Sequence, residues 1–350
     1  MTRVMVIFGG RSGEHEVSLA SARAVMEALE RDGRHEVVPV GITREGRWLS
    51  SPDPMAELSA STGGSEETAA ALGSHGVSEV LPGDLGPADV VFPVMHGPYG
   101  EDGRMQGFLE MAGIPYVGSG VLGSAISMDK ISMKKIFAQH GLPQVGWVGL
   151  TRRDWEKNRD GSLKMVEDAL GYPGFVKPSN LGSSVGINRA DDRESLAAAL
   201  DEAFTHDRRV IVEQFVDARE VEVSALGNDE PEISLAGEIV LASEGFYDYD
   251  AKYGAGGMDL IVPAEVSEGL AKRIERIAKE AFVAVDAAGM SRIDFFIERK
   301  TGELFLNEIN TIPGFTATSV YAKLWDASGL AYPDLLDRLI RLALERHASS

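Results

Sequence analysis

Short apolar runs and amphipathic stretches alternate along the first third of the chain. Val4–Phe8 is a continuous apolar run typical of a buried strand, and the glycine-rich turn Gly9–Gly13 follows it. From about Glu16, apolar residues recur at helical spacing and predict a helix. A strand, a glycine turn and a helix open a parallel α/β sheet, so this pattern predicts an open α/β domain. Further strands of this domain are predicted at Glu36–Val40, Val90–Val94 and Ile114–Val117.

The remaining two thirds of the chain predict both helices and strands. A helix is predicted over Ser127–His140, and an amphipathic helix over Tyr332–His347. A strongly periodic helix is predicted over Ser267–Ala288, because its apolar residues form one stripe, its first residue is a good N-cap and Gly289 is a stop signal. Strands are predicted around Val145–Val148, Gly174–Lys177, Val185–Asn188 and Val210–Phe215.

Composition narrows the functional classes. The 350 residues include no cysteine, which excludes a disulfide scaffold, a thiolate zinc site and a cysteine nucleophile. The 34 basic and 54 acidic residues give a net charge of −20, which argues against a nucleic-acid or anionic-membrane partner. The N-terminal apolar run is shorter than a signal-peptide core, and no run approaches the ~18 apolar residues of a membrane span. A cytoplasmic protein is therefore expected.

Two glycine motifs allow competing interpretations. Gly118–Gly123 matches the dinucleotide-binding pattern, but the expected acid about 20 residues later is absent, so an interdomain turn is favoured. Gly182–Gly186 matches the nucleophile elbow of serine hydrolases, but the residues after the serine favour a strand where that motif needs a helix. A hairpin flap whose backbone N–H groups cover phosphates is favoured there. No Gly-Lys dipeptide occurs, so a Walker A loop is excluded.

An acidic hairpin is predicted around the loop Lys300–Gly302. The alternation of a strand places Asp294 opposite Glu308 on the next strand. The same register places Arg292 opposite Asn310. Facing carboxylates repel unless they share a cation, and two carboxylates with an amide oxygen suit Mg²⁺. One or two Mg²⁺ ions are therefore expected here, and the alternative is a solvated sheet face with an Arg292 ion pair.

The motifs taken together resemble those of the D-alanine-D-alanine ligases, members of the ATP-grasp superfamily, nearly from end to end. The resemblance implies an α/β fold, α+β in the ATP-binding part, in which an N-terminal open parallel α/β domain at 1–123 precedes an ATP-grasp pair of β-rich subdomains. The subdomains would span 124–215, with the Ser/Gly flap, and 216–350, with a mobile lid at 243–257 and the metal site. The matching segments are Gly9–Ser18, His96–Gly103, Met128–Lys130, Val176–Ser179, Tyr247–Tyr249, Lys252–Tyr253 and Asn307–Gly314.

The resemblance implies ATP-dependent ligation of two D-alanine molecules through an acyl phosphate, for peptidoglycan precursor synthesis. It also implies Mg²⁺ or Mn²⁺ as cofactor, with two ions, and a homodimer. The alternatives are a ligase that makes D-alanyl-D-lactate or uses another D-amino acid, or a nonenzymatic nucleotide-binding regulator. Because relatives that make D-alanyl-D-lactate lack the loop bearing Tyr253, its presence here favours the dipeptide.

The resemblance also implies roles for individual residues. Glu213 would accept from the adenine amine, Val216 would contribute backbone, and Glu220 would bind ribose. The other implied ATP-binding residues are Lys130, Lys177, Ser183, Ser184, Gln214 and Lys252. The implied metal ligands are Asp294, Glu308 and Asn310.

The implied amino-acid site begins with Glu16, which would take the ammonium of the first D-alanine. Arg292 and the Gly314 N–H would stabilise the oxyanion, and Ser319 would meet the second carboxylate. The other implied residues of this site are His96, close to the first D-alanine, and Ser183 and Tyr253, which would link Glu16 to the lid.

Overall fold

The computed structural model describes residues 1–49, 53–63, 87–182, 186–241 and 258–349. The predicted lid at 243–257, with Lys252 and Tyr253, lies outside the described residues. The flap residues Ser183 and Ser184 lie outside them as well.

The N-terminal domain is built on a mixed four-stranded sheet. Its central strand pairs in parallel with one neighbour on each side, as predicted for an open α/β domain. The predicted strand at Ile114–Val117 is wrong, since only Tyr116 bridges to Val91 of the sheet. The strands are β1 (Thr2–Gly9), β2 (His35–Ile42), β3 (Trp48–Leu49) and β4 (Val90–Val94), in the order β3-β2-β1-β4. The helices are α1 (His15–Asp32), α2 (Pro54–Gly63) and α3 (Arg104–Met111).

The predicted helix over Ser127–His140 is wrong as a single element, because two helices meet at Asp129. These helices are α4 (Val121–Met128) and α5 (Lys130–Gln139). Asp129 is extended, with φ −90° and ψ 100°, and its carboxylate accepts a hydrogen bond from the Ser132 N–H at 2.8 Å. This is an N-cap, which starts a new helix at Lys130 and places that lysine in its first turn.

The central unit is a four-stranded antiparallel sheet covered by helices on one face. Its helices bury a core that includes Trp155, Leu163 and Leu200. The predicted strand at Val145–Val148 begins two residues later than expected. The strands are β5 (Trp147–Thr151), β6 (Gly174–Pro178), β7 (Asn188–Ala190) and β8 (Arg209–Gln214), in the order β5-β8-β6-β7. The helices are α6 (Arg152–Lys157), α7 (Arg159–Leu170) and α8 (Arg193–His206).

A larger antiparallel sheet follows, and helix α9 (Glu268–Ala284) packs against it. Ser267 caps this helix, as predicted. The predicted C-terminus is wrong, because the helix ends at Ala284 and Gly289 begins the next strand. The strands are β9 (Ala218–Gly227), β10 (Glu232–Ile233), β11 (Gly237–Leu241), β12 (Met258–Ile261), β13 (Gly289–Glu298) and β14 (Leu304–Asn310), in the order β12-β11-β9-β13-β14, with β10 beside β9.

The chain ends with two helices, α10 (Val320–Ala327) and α11 (Tyr332–Ser349). Helix α11 confirms the predicted closing helix and returns to the first domain, where its Leu336 and Leu339 share a hydrophobic core with Val4. The C-terminus therefore stabilises the N-terminal sheet. None of the helices in the described ranges is long and apolar enough to cross a membrane.

Candidate functional site

A cavity of about 780 Å³ opens where the three sheets meet. Its walls come from the β1–α1 turn, the start of α5, strand β6, the β8–β9 connection and the hairpin of β13 and β14. The site residues predicted from the sequence therefore lie together in the folded chain. The fourteen predicted site residues within the described ranges all line this cavity: Glu16, His96, Lys130, Lys177, Glu213, Gln214, Val216, Glu220, Arg292, Asp294, Glu308, Asn310, Gly314 and Ser319.

Glu213 and two lysines form a buried charged group, the Glu213 triad, at one end of the cavity. The carboxylate of Glu213 is 3% exposed, with one oxygen 2.5 Å from the ammonium of Lys177 and the other 2.9 Å from that of Lys134. Burial by itself would raise the pKa of Glu213, but the two ammonium groups outweigh it and hold this pKa well below its usual range. Glu213 in turn raises the pKa of Lys177 against the effect of burial. Glu213 and Lys177 are therefore both charged.

Lys134 was missed by the sequence analysis. It is 1% exposed, and its ammonium also donates to the carbonyl oxygen of Asn307 at 3.3 Å. The available signal was its position on α5, three residues after the buried Ile131 and three before the buried Phe137. A lysine on the apolar face of a helix needs a buried anionic partner.

Lys130 joins the base of the flap to the acidic hairpin. Its ammonium donates to the Leu181 carbonyl oxygen at 2.8 Å and lies 3.8 Å from a carboxylate oxygen of Glu308. Asp129, the N-cap before it, also pairs with Arg209 on β8 at 2.7 Å. The first turn of α5 is thus held on both sides, which directs Lys130 into the cavity.

The hairpin has the predicted pairs at Asp294 and Arg292, but the pairing nearer the loop differs by one residue from the prediction, and a β-bulge between Asp294 and Phe295 makes up the difference. Asp294 pairs with Glu308 across β13 and β14, and Arg292 pairs with Asn310. Gly302 adopts the expected left-handed conformation, with φ 74°.

Arg292 is held between two acids. Its guanidinium donates to both oxygens of Asp294 at 2.7 Å and lies 3.0 Å from Glu222, a buried acid on β9 that the sequence analysis missed. Asp294 also accepts from the Asn310 amide at 3.1 Å. The predicted ion pair of Arg292 is therefore present, but the face is not solvated, since the Arg292 and Asp294 side chains are only 18% and 13% exposed.

The hairpin donors fit a hard divalent cation by their chemistry. Asp294 and Glu308 supply carboxylate oxygens from directly opposed positions, and Asn310 supplies an amide oxygen. Outside the undescribed segments, no group of three or more acidic or histidine side chains is arranged to hold a metal ion. The candidate donor set is therefore two carboxylates and one amide.

The other end of the cavity carries acids, and Glu14 is the most enclosed of them. Glu14 is 9% exposed. A Cβ atom at Gly97 would lie 2.6 Å from its carboxylate, and one at Gly182 would lie 3.1 Å from it. Gly97 also has φ 74°, so both space and backbone conformation require glycine there. The two glycines let the Glu14 carboxylate lie against the backbone of the His96 loop and of the flap.

Two further titratable groups lie beside Glu14. His96 is 4% exposed, its Nδ1 is 3.0 Å from the Ile312 carbonyl oxygen, and burial lowers its pKa. Neutral His96 therefore donates from Nδ1 and accepts at Nε2 from the Ser21 hydroxyl, 3.2 Å away. Burial, with the nearby charge of Glu14, raises the pKa of Glu101 to about 8.

Glu16 lies at the rim of the cavity. Its side chain is half exposed and forms an ion pair with Arg44 at 2.7 Å. Helix α1 begins at His15, so Glu14 precedes the helix and faces inward while Glu16 lies on its surface. Both acids belong to the same sequence motif, and the position of the helix start decides which of them faces inward.

Ser319 and Gly314 lie close together at the start of α10. Ser319 is the N-cap, its Oγ accepts from the Thr316 N–H at 3.0 Å, and it lies 3.4 Å from where a Cβ of Gly314 would be. The N-terminus of a helix carries unpaired N–H groups and a partial positive charge, which favour an anionic group. This part of the wall suits a carboxylate.

Comparisons with known proteins agree with this arrangement. The family model described as D-ala D-ala ligase N-terminus matches residues 3–119, and the one described as D-ala D-ala ligase C-terminus matches residues 136–341. A D-alanine--D-alanine ligase of Natranaerobius thermophilus is 47% identical over 98% of this chain and 95% of its own length. One of Bacillus cytotoxicus is 48% identical, over 99% and 97%.

Solved structures show the same likeness. The D-alanine-D-alanine ligase from Coxiella burnetii superposes with a TM-score of 0.83 at 35% identity, covering 100% of this chain and 97% of that one. The VanG D-Ala:D-Ser ligase from Enterococcus faecalis also has a TM-score of 0.83, at 36% identity, covering 98% and 99%. With both family models matched and near-complete relatives at these identities, the chain belongs to the D-alanine-D-alanine ligase family.

Proposed function

We propose that this chain is an ATP-dependent ligase that joins two D-alanine molecules to D-alanyl-D-alanine, for peptidoglycan precursor synthesis. One observation carries the proposal: a single cavity is lined by Lys130 and Lys177 at one end and by the acids Glu14 and Glu101 at the other. The first end complements phosphates, and the second complements an ammonium group. Family membership supports the same reaction.

ATP is bound at the end that holds the Glu213 triad. Lys130 and Lys177 hold the phosphates, because both ammonium groups line the cavity. Gln214, Val216 and Glu220 bind adenine and ribose from the β8–β9 connection. Glu213 lies at the adenine side, although its two oxygens already receive lysine ammonium groups. Lys252, Ser183 and Ser184 complete the proposed phosphate site.

Asp294, Glu308 and Asn310 would hold Mg²⁺ or Mn²⁺, with two ions proposed. A bound divalent cation would neutralise charge on the phosphate oxygens. Arg292 pairs with Asp294 in the described structure, so the hairpin retains one cationic group of its own for that carboxylate.

The amino-acid end positions both substrates. Glu14 binds the ammonium of the first D-alanine, because it is the enclosed acid, while Glu16 shapes the rim. The carboxylate of this D-alanine attacks the γ-phosphorus of ATP, which breaks the bond to the β-phosphate, releases ADP and gives an acyl phosphate. The second D-alanine, once its ammonium has lost a proton, attacks the acyl carbon, and the tetrahedral intermediate expels inorganic phosphate. Arg292 and the Gly314 N–H stabilise the oxyanion that forms in this step.

The second D-alanine binds by its carboxylate at Ser319 and the α10 N-terminus. His96, held neutral, shapes the pocket for the first D-alanine. Ser183 and Tyr253 are proposed to link the glutamates of this end to the lid. We propose D-alanine as second substrate, while the likeness to a D-Ala:D-Ser ligase makes D-serine the competitor to test.

A product assay tests this function. The protein is incubated with ATP, Mg²⁺ and D-alanine, alone or with D-serine or D-lactate, and both phosphate and products are measured. We expect phosphate release that depends on D-alanine, with D-alanyl-D-alanine as the main product. No release above the control without amino acid, together with ATP binding, would instead support a nucleotide-binding regulator.

The same proposal includes a cytoplasmic location and a homodimer. Cytoplasmic ATP would supply the phosphoryl donor. Light scattering coupled to size-exclusion chromatography tests the dimer, for which a mass near twice 37.6 kDa is expected.

A further inference from the structure

Lys134 is a buried cation that the proposed reaction does not use directly. Its ammonium lies below the cavity wall on α5, and its side chain is not among those that line the cavity, whereas Glu213 and Lys177 are. Any effect of Lys134 on a bound ligand must therefore pass through its neighbours.

Lys134 determines the net charge of the Glu213 triad. Lys134 and Lys177 each occupy one oxygen of the same carboxylate, at 2.9 and 2.5 Å. Two ammonium groups and one carboxylate leave a net charge of +1. Without Lys134, the charges of Glu213 and Lys177 would neutralise each other. The Lys177 ammonium would then be attracted to both oxygens of the Glu213 carboxylate, because it would be the only cation left in the triad.

A second contact of Lys134 crosses between subdomains. Its ammonium donates to the Asn307 carbonyl oxygen, the residue before Glu308 on β14. An ammonium has three donors, so one group can bind Glu213 on β8 and the backbone of β14 at once. Lys134 thus fixes the distance between the strand that carries Glu213 and the strand that carries a proposed metal ligand.

Stability alone does not account for this arrangement. Replacing a buried ion pair by apolar residues of similar size is often neutral or stabilising, because both charges must be desolvated. A buried lysine that only filled space would be better replaced by methionine.

We infer that Lys134 is a positioning residue for ATP, whose ammonium fixes the Glu213 carboxylate and leaves the positive charge of Lys177 directed at the phosphates. The inference rests on the proposed function. It predicts that loss of the Lys134 ammonium weakens ATP binding and leaves D-alanine binding nearly unchanged.

The test compares Lys134→Met with Lys135→Met, which removes the exposed neighbouring lysine of the same helix. For Lys134→Met we expect the KM for ATP to rise about tenfold or more, because small displacements of positioned groups have effects of this size. The KM for D-alanine should stay within about twofold, since its site lies at the other end of the cavity. Lys134→Arg, which keeps the charge, should recover part of the loss, and Lys135→Met should match the wild type.

An unchanged KM for ATP, or an equal rise of both KM values, would overturn the inference. If Lys134→Met does not fold, Lys134→Gln takes its place, because it removes the charge but keeps a hydrogen-bond donor for Glu213 and the Asn307 carbonyl oxygen. A raised KM for ATP in folded Lys134→Gln supports positioning, and the wild-type value overturns it. Calorimetry of ATP binding makes the same comparison without turnover, so a wild-type protein that binds ATP but makes no dipeptide would contradict only the proposed function.

Discussion

The two ends of the cavity differ in the charge of their buried side chains. At the Glu213 triad, one buried acid is matched by two lysines, and the surplus is positive. At the amino-acid end, burial and the nearby charge of Glu14 raise the pKa of Glu101, and burial lowers the pKa of His96. The contrast teaches that a protein with a net charge of −20 can bind a polyphosphate, because the sign of the local charge is set by a few buried groups.

Lys177→Met should have the largest effect on this contrast. Removing the cavity-lining ammonium takes away a proposed phosphate contact, so we expect kcat/KM for ATP to fall about 100-fold or more. Steady-state kinetics with ATP as the varied substrate measure this. Lys164→Met, which removes an exposed lysine paired with Asp168, is the control and should leave the kinetics unchanged. A loss of less than threefold would contradict the assignment of Lys177.

Glu14→Gln should act on the other end alone. If Glu14 binds the substrate ammonium as proposed, loss of the enclosed carboxylate costs about 2 kcal/mol or more of binding free energy, which is a rise of about 30-fold in the KM for the first D-alanine. The KM for ATP should change little. Glu16→Gln is the matched control, and we expect less than a threefold effect because Glu16 is half exposed and already pairs with Arg44. If Glu16→Gln raised the KM for the first D-alanine more than Glu14→Gln did, Glu16 would be the residue that binds the ammonium.

Glu101→Gln should have the smallest effect, and one that depends on pH. The pKa of Glu101 in the folded protein is raised to about 8, above its ordinary value of 4.5. Its contribution to stability is therefore present in full below about pH 4.5 and is lost as the pH rises through 8. The melting temperature of the variant relative to wild type should be higher at pH 9 than at pH 5. A difference that does not vary with pH would show that Glu101 titrates normally.

The sequence predicted the acidic hairpin because its two strands alternate regularly and the loop between them is short, and the left-handed conformation of Gly302 was also expected. Counting from the observed Ile297–Leu304 pair would place Asp294 opposite Asn307, and only the β-bulge between Asp294 and Phe295 brings Glu308 opposite Asp294. The sequence could not show that Arg292 would lie between Asp294 and Glu222, because Glu222 comes from a strand about 70 residues earlier in the chain.

Helix boundaries were predicted less well, because a single capping side chain sets one of them and a contact between distant segments sets another. The break at Asp129 arises from one side chain that caps a new helix, within a stretch whose apolar spacing continues across it. The early end of α9 at Ala284 puts Asp286 at φ 60° and places the backbone of Gly289 against Gly118. Such contacts between distant segments leave no periodic signal in either one.

The sequence by itself determined the family, the presence of the acidic hairpin and fourteen of the residues that line the cavity, because these depend on residue types and spacing. Only the tertiary structure decided which of two glutamates two residues apart faces inward, and that Lys134 lies beside Glu213 beneath the cavity wall. The physical reason is that burial and charge pairing join groups from different elements. Glu14 is enclosed by Gly97 and Gly182, and Lys134 is paired with Glu213 on a strand about 80 residues away.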